Sequence, residues 1–295
     1  MRILITGGSG LFGEKIAEKA IERGHKVYSC YNRNTPTNGT PLKMNLEDNN
    51  KTTESIHSCS PDLIIHSGAV TNVDYCEKNQ ALAWKINVES TKTIAEYGKY
   101  RRTPIIFVST DYVFSGENGN YQETDAPQPK NYYGLTKLAG EQIIRESPLN
   151  TIIRPSVIFG VPNKSDRQDF AHWIIQSLNE KKTIFVVTDQ IVSPTMTTNL
   201  AEITLNIIKE KKTGLFHTAG ATQISRYDFA LQLAERFDLN QRLIKKSKLS
   251  QINWYATRPK NTSLNVSKIT SEIKIHPWKI NSAIDHFAQE MEESI

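Results

Sequence analysis

Apolar residues in this chain gather into short unbroken runs, and between the runs they recur at helical spacing. Ile3-Leu4-Ile5, the segment 26–30, Leu63-Ile64-Ile65 within 62–66, the run 105–108 and Ile152-Ile153 within 151–154 read as strands buried on both faces, the mark of a parallel sheet. Phe12, Ile16, Ala17, Ala20 and Ile21 share one face of a helix that stops at Gly24. Residues 51–60 fit a short helix. Residues 77–100, with Ala81, Trp84, Val88, Ile94 and Ala95 at roughly helical spacing, read as one long helix, and another helix starts at Asn131. Residues 35–50 and 116–130 are rich in Pro, Asn and Gly and read as loops, the first with one short strand at 42–46. This alternation predicts an α/β fold, a doubly wound parallel sheet with helices on both faces.

Beyond Pro155 the pattern changes. A second apolar segment, 157–159, leads into a polar loop over 161–167, a helix over 170–178 and a strand over 184–187. Residues 189–195 read as a turn before a helix over 198–210. A strand over 215–218, a helix over 226–237, an irregular stretch around 258–261 and a terminal helix over 280–291 follow. The expected division is a dinucleotide-binding domain, 1–155, and a region, 156–295, that is mainly a smaller C-terminal substrate-binding lobe interleaved with the last sheet strands.

Composition narrows the classes. The 295 residues are 38% hydrophobic and 23% charged, ordinary for a globular chain, and the formal charge is +5. The densest basic run, Lys245-Lys246-Ser247-Lys248, is short and reads as a solvated face, so no nucleic-acid partner is expected. Mild basicity suits attraction of a phosphorylated substrate. Cys30, Cys59 and Cys76 lie far apart with no CxxC pair, which points to reduced thiols and a cytoplasmic setting. The first residues enter a strand directly, so no signal peptide is expected, and no apolar stretch is long enough to span a bilayer. The seven histidines are scattered, and no metal site is expected.

The candidate chemistry begins at the first strand. It breaks at Gly7 and continues as Gly7-x-x-Gly10-x-x-Gly13 into a helix. Gly7 allows the tight turn, Gly10 lets backbone approach a pyrophosphate, and Gly13 lets the helix pack closely on the sheet. The N–H groups around Leu11, Phe12 and Gly13 then face the phosphates at the positive end of a helix dipole. At the end of the second strand Cys30-Tyr31-Asn32-Arg33-Asn34 carries no acid for a ribose 2′-hydroxyl, whereas Arg33 can pair with a 2′-phosphate. The cofactor expected is NADP(H), with NAD(H) as the alternative. Ser67-Gly68-Ala69 follow the strand over 62–66, and their small side chains would let a cofactor lie across the strand ends.

Ser109-Thr110-Asp111-Tyr112 leave the strand over 105–108 at the carboxyl edge, where ligands bind in open α/β sheets. Tyr133 and Lys137 lie four residues apart on one helix face. An ammonium beside a phenol moves the tyrosine toward neutral pH, so that Tyr133 donates a proton to a carbonyl oxygen as hydride arrives at carbon. Lys137 also suits the nicotinamide ribose, and Thr110 the same substrate oxygen. Tyr112 stands at this edge either as a substrate contact or as core packing. Asn87 reads as a polar helix residue or as part of a buried network.

The segments ILITGGSGLFG, STDYVFSG, YYGLTKLAGE, DQIVSPT and RPKNTSLN, in this order, resemble the dTDP-4-dehydrorhamnose reductases, a branch of the extended short-chain dehydrogenases/reductases. The resemblance runs from residue 2 to about residue 290. It implies a Rossmann-type fold and NAD(P)H-dependent reduction of the 4-keto group of dTDP-6-deoxy-L-lyxo-4-hexulose to dTDP-L-rhamnose, with a homodimer as an assembly to test. Carried over by motif, Thr110, Tyr133 and Lys137 form the catalytic set. The stretch around Thr71, Val73 and Asp74 lies near cofactor and substrate, and Arg258 and Asn261 belong to the substrate side, Arg258 as a phosphate ligand or a structural anchor. The chain departs from the family at Ser67-Gly68, where Ala-Ala is usual, at Asn45, where an aspartate is usual, and after Arg154, where the segment to Gly160 lacks a tryptophan on the sugar side. Two alternatives stand beside this reading. One is an epimerase or reductase of another nucleotide sugar; the other is a non-catalytic subunit resembling the β subunit of methionine adenosyltransferase.

Overall fold

The computed structural model describes residues 1–161 and 169–293. Its first strands are β1 (Arg2–Thr6), β2 (Lys26–Tyr31), β3 (Thr40–Lys43), β4 (Leu63–His66), β5 (Ile105–Val108) and β6 (Thr151–Arg154). The later ones are β7 (Ser156–Phe159), β8 (Ile184–Val187), β9 (Ile191–Val192), β10 (Pro194–Met196), β11 (Gly214–His217), β12 (Ile224–Ser225) and β13 (Ile244–Ser247). A seven-stranded sheet runs β11-β6-β5-β4-β1-β2-β3, with every neighbouring pair parallel. This is a Rossmann-type sheet: strand order reverses between β1 and β4, and the crevice at that switch point lies at the strands' carboxyl ends.

Each apolar run splits its side chains between two cores, as a pleated strand must. Ile3 and Ile5 of β1 join Phe12, Ile16, Leu200 and Phe216 on one face, beneath the helices Leu11–Glu22 and Thr197–Lys209. Leu4 joins Ile64, Ile94, Phe107 and Ile144 on the other, beneath Asn49–Cys59, Ser90–Arg101 and Tyr132–Ile144. A third core, around Phe159, Ile174, Phe229 and Phe287, belongs to the later part of the chain. That part also feeds β11 to the edge of the main sheet.

Several expectations need correction. The strand expected over 42–46 is Thr40–Lys43, and it pairs with β2. The single helix expected over 77–100 is a broken series: Val73–Lys78, Gln80–Trp84, one turn of π-helix at Lys85–Glu89, then Ser90–Arg101. Asn79 (φ −125°, ψ 56°) ends the first piece, its Nδ2 donating to the Tyr75 carbonyl at 3.0 Å. The turn expected over 189–195 contains β9 and β10, which are too short to show a period. The Lys-rich run at 245–248 is largely β13, paired with β8, with Lys245 and Lys246 exposed. The polar loop expected over 161–167 lies, past Val161, outside the described residues. No described helix is long and apolar enough to cross a membrane.

Candidate active site

The glycine turn fits against the end of β4. Gly7 has φ +67°, and a Cβ there would lie 2.8 Å from the Gly68 Cα. A Cβ on Gly13 would lie 2.1 Å from the Gly7 carbonyl oxygen, so this glycine packs against the turn itself and not, as its spacing suggested, against the sheet. A Cβ on Gly10 would meet the Gly7 oxygen at 3.2 Å and no other atom within 4 Å. Gly10 is also the N-cap of Leu11–Glu22 and supplies no side-chain cap. The result is a helix start presented as bare backbone at the switch point, which fits a pyrophosphate. The Phe12 side chain is in the core, so that residue offers its backbone N–H. Arg33 is exposed just past β2, with no acid at Asn32 or Asn34, which fits a 2′-phosphate.

A buried polar chain supports this turn. The Gly68 N–H donates to Thr6 Oγ1 at 3.0 Å, and Thr6 Oγ1 lies 2.7 Å from His66 Nδ1. His66 Nε2 lies 2.9 Å from Thr91 Oγ1, which donates to the Asn87 carbonyl at 2.8 Å. These donor roles leave one consistent tautomer, with the proton on Nε2. Burial and the nearby Lys137 push His66 down to about 3, so it is neutral. Asn87 lies on the π-helical turn. Its carboxamide takes the Val70 N–H at 2.8 Å, gives to the Val70 carbonyl at 3.1 Å and gives to Thr136 Oγ1 at 3.0 Å. Asn87 is therefore a member of the network, tying the stretch after β4 to the helix that carries Tyr133.

That helix begins at Asn131, whose Oδ1 accepts the Gly134 N–H at 2.9 Å. Gly134 is required because a Cβ would lie 2.2 Å from the Tyr112 carbonyl oxygen. Close packing there sets the Tyr133 ring edge-on to Tyr112, with centroids 6.2 Å apart. Thr110 lies beside Tyr133 and partly offsets the burial that raises the phenol's pKa. Tyr133 is thus pushed up, where an ammonium partner was expected to bring it down. Lys137 is buried too; its ammonium lies 4.0 Å from the Phe107 ring centroid, and burial lowers it to about 7, with Glu141 opposing.

Asp111 is a buried residue that spacing did not single out. Its carboxylate accepts from Thr110 at 3.1 Å, Ser156 at 2.8 Å and Thr262 at 2.5 Å. It ties Thr110 to β7 and to the late segment that follows Arg258. Burial raises its pKa, and the three hydroxyls oppose that. Tyr112 is buried, with its hydroxyl 3.3 Å from the Gln190 Nε2 donor.

On the substrate side, Val73 and Asp74 open the helix after β4, and Thr71 is exposed just before it. Asp74 pairs with Arg258 at 3.0 Å and accepts the Ala256 N–H at 2.9 Å. Arg258 lies 4.7 Å from the Trp254 ring centroid, and Asn131 Nδ2 donates to the Thr257 carbonyl at 3.0 Å. The stretch 254–258 is thereby fixed over the start of the Tyr133 helix. Asn261 packs where Gly119 has no side chain, and its Oδ1 accepts from Ser263 Oγ at 2.7 Å.

The model of the RmlD substrate binding domain family matches residues 1–293. The chain belongs to this family. The probable low-salt glycan biosynthesis reductase Agl14 of Haloferax volcanii is 32% identical over 92% of each chain. The dTDP-4-dehydrorhamnose reductase of Bacillus anthracis, solved in complex with NADP, superposes with a TM-score of 0.87 at 25% identity, covering 98% of this chain and 99% of that one. Methionine adenosyltransferase 2 subunit beta of Danio rerio is 29% identical over 91% of this chain and 84% of that protein. The family is that of the dTDP-4-dehydrorhamnose reductases expected from the motifs.

Proposed function

We propose that this chain is an NADPH-dependent reductase of the 4-keto group of a nucleotide-linked deoxysugar, with dTDP-6-deoxy-L-lyxo-4-hexulose as substrate and dTDP-L-rhamnose as product. The observation that supports the reading is Thr110 against Tyr133, with Lys137 one turn along the same helix, at the carboxyl edge of a sheet whose switch point carries a bare-backbone helix start. The family membership, and the reductase solved with NADP, support the same chemistry.

Gly7, Gly10, Gly13 and Gly68 at the turn, with Arg33 for the 2′-phosphate, would hold NADPH, which would supply the hydride when bound. The protein's part is acid chemistry. Burial keeps Tyr133 protonated at neutral pH, which is the form a general acid needs. Its O–H bond breaks toward the substrate carbonyl oxygen, which becomes the new hydroxyl. Thr110 turns its hydroxyl from Asp111 to donate a hydrogen bond to that oxygen and fixes its position. Lys137, four residues along the same face, stabilises the phenolate left behind and holds the ribose. Arg258, anchored by Asp74, and Tyr112 line the substrate side. Asn261 acts indirectly, through the loop it braces.

The test is loss of NADPH absorbance with the 4-keto sugar nucleotide supplied. Rapid turnover that depends on Tyr133 supports the proposal. Firm NADPH binding with no turnover on this or any other 4-keto nucleotide sugar would sink it and return the β-subunit-like alternative.

A further inference from the structure

Arg226 is absent from every role assigned above. It opens the helix Arg226–Arg236 directly after β12, which pairs with β9. Its backbone N–H donates to the Gln190 carbonyl at 3.0 Å, and Gln190 is the residue whose side chain meets the Tyr112 hydroxyl. The guanidinium lies 4.6 Å from the Phe170 ring centroid. Its Nε is shut off from solvent and has no hydrogen-bond partner.

The other buried or half-buried arginines of this region are matched. Arg154 has Glu141 and Arg258 has Asp74. Arg226 has no carboxylate within ion-pairing distance among the described residues; its guanidinium hydrogen-bonds Tyr112 and feels the buried Asp111 only at longer range, while Arg258 repels it, and its Nε stays without a partner. Both guanidiniums also act on Tyr112, whose ring stands edge-on to Tyr133. Two cations therefore lie near Tyr112, and one of them has no carboxylate in an ion pair with it among the described residues. A shielded polar atom without a partner is costly to keep. The cost is recovered when an anion with forked acceptors enters, which is what a planar guanidinium fits.

We infer that Arg226 binds the diphosphate of the nucleotide-sugar substrate and so sets affinity for that substrate without taking part in proton transfer. This rests on the proposed nucleotide-sugar reading. Of the anionic groups such a substrate carries, the diphosphate is the one common to the whole class.

The experiment is calorimetric binding of dTDP, dTMP and NADPH to the native chain and to Arg226→Gln and Arg226→Lys, with UDP and GDP also tried on the native chain. Loss of one charge-assisted contact is expected to weaken dTDP by about tenfold or more in Arg226→Gln. Arg226→Lys should recover part of it, dTMP should lose less, and NADPH should bind all three proteins alike. Equal dTDP affinity in native and Arg226→Gln protein would overturn the inference, including the case where only a full sugar nucleotide weakens, which would move Arg226 to the sugar. A parallel loss of NADPH affinity would also overturn it, as the mark of a purely structural arginine. Failure of the native chain to bind any of the three diphosphates would remove the nucleotide-sugar reading itself.

Discussion

Lys137 and Glu141 lie one turn apart on the same helix, both buried, and they are treated in opposite ways. Glu141 is fully matched. Arg154, itself without exposed surface, gives it hydrogen bonds of 2.7 and 2.6 Å, and Ser109 adds one of 2.5 Å. Arg154 also lies 5.0 Å from the Phe114 ring centroid and 3.4 Å from His217 Nε2. Lys137 has an aromatic face and no carboxylate within ion-pairing distance among the described residues. One charge is held by a closed set of partners and fastens β5, β6 and the helix together. The other is kept in an environment that destabilises it, a cost in keeping with the catalytic role proposed for it. The two charges differ in the closure of their partner sets.

The largest effect is expected from Tyr133→Phe. It removes the acid and leaves the ring, so kcat should fall by about 10³-fold, or ~4 kcal/mol, while the unfolding midpoint stays within a degree or two of native. Steady-state kinetics paired with thermal unfolding checks both halves. Glu141→Gln should do the reverse. It leaves a buried guanidinium without its counter-charge, and about 3 kcal/mol of stability should be lost in denaturant titration. The pair Glu141→Met with Arg154→Met should recover much of that. If Glu141→Gln were neutral in stability and lost activity instead, the contrast between the two charges would collapse. Lys137→Met comes next: kcat should drop by about 10²-fold, ~2.7 kcal/mol, with unchanged or raised stability of the cofactor-free protein.

The parallel strands were readable because burial on both faces leaves an uninterrupted apolar run, and Ile3-Leu4-Ile5 shows it at its clearest. The glycine turn was readable because its chemistry is local. What escaped depends on contacts between distant segments. β9, β10 and β12 span two or three residues each, too few for any period. The π-helical turn at Lys85–Glu89 carries Asn87, whose side chain reaches Val70 and Thr136 from distant segments. Asp111 follows Thr110 directly, yet its partners Ser156 and Thr262 come from far along the chain. Arg226 gave no local signal at all, since only the pairing of β12 with β9 brings it to Gln190 and Tyr112.

The smallest expected effect is the sharpest test of the contrast. Lys137 titrates near 7 in the folded, cofactor-free chain and at its ordinary value near 10.5 when unfolded. Below pH 7 both states hold the proton, so its penalty on stability is present in full and does not change. Above pH 7 the unfolded state binds more protons than the folded one, so stability rises with pH, by at most ~1.4 kcal/mol per unit. The window is clean at its lower end because His66 and His217, both pushed down to about 3, have given their rise by pH 7. It closes above about pH 8, where Cys59 and Cys76, pushed up to about 11, and the buried Cys30, also pushed up, keep protons that the unfolded thiols lose and so act in the opposite direction. Denaturant titrations at pH 7, 7.5 and 8 should therefore show a gain of about 1 kcal/mol in the native chain and none in Lys137→Met. A flat or falling profile in the native chain would mean that Lys137 keeps its proton throughout, and that the aromatic face of Phe107 compensates it as well as a carboxylate would.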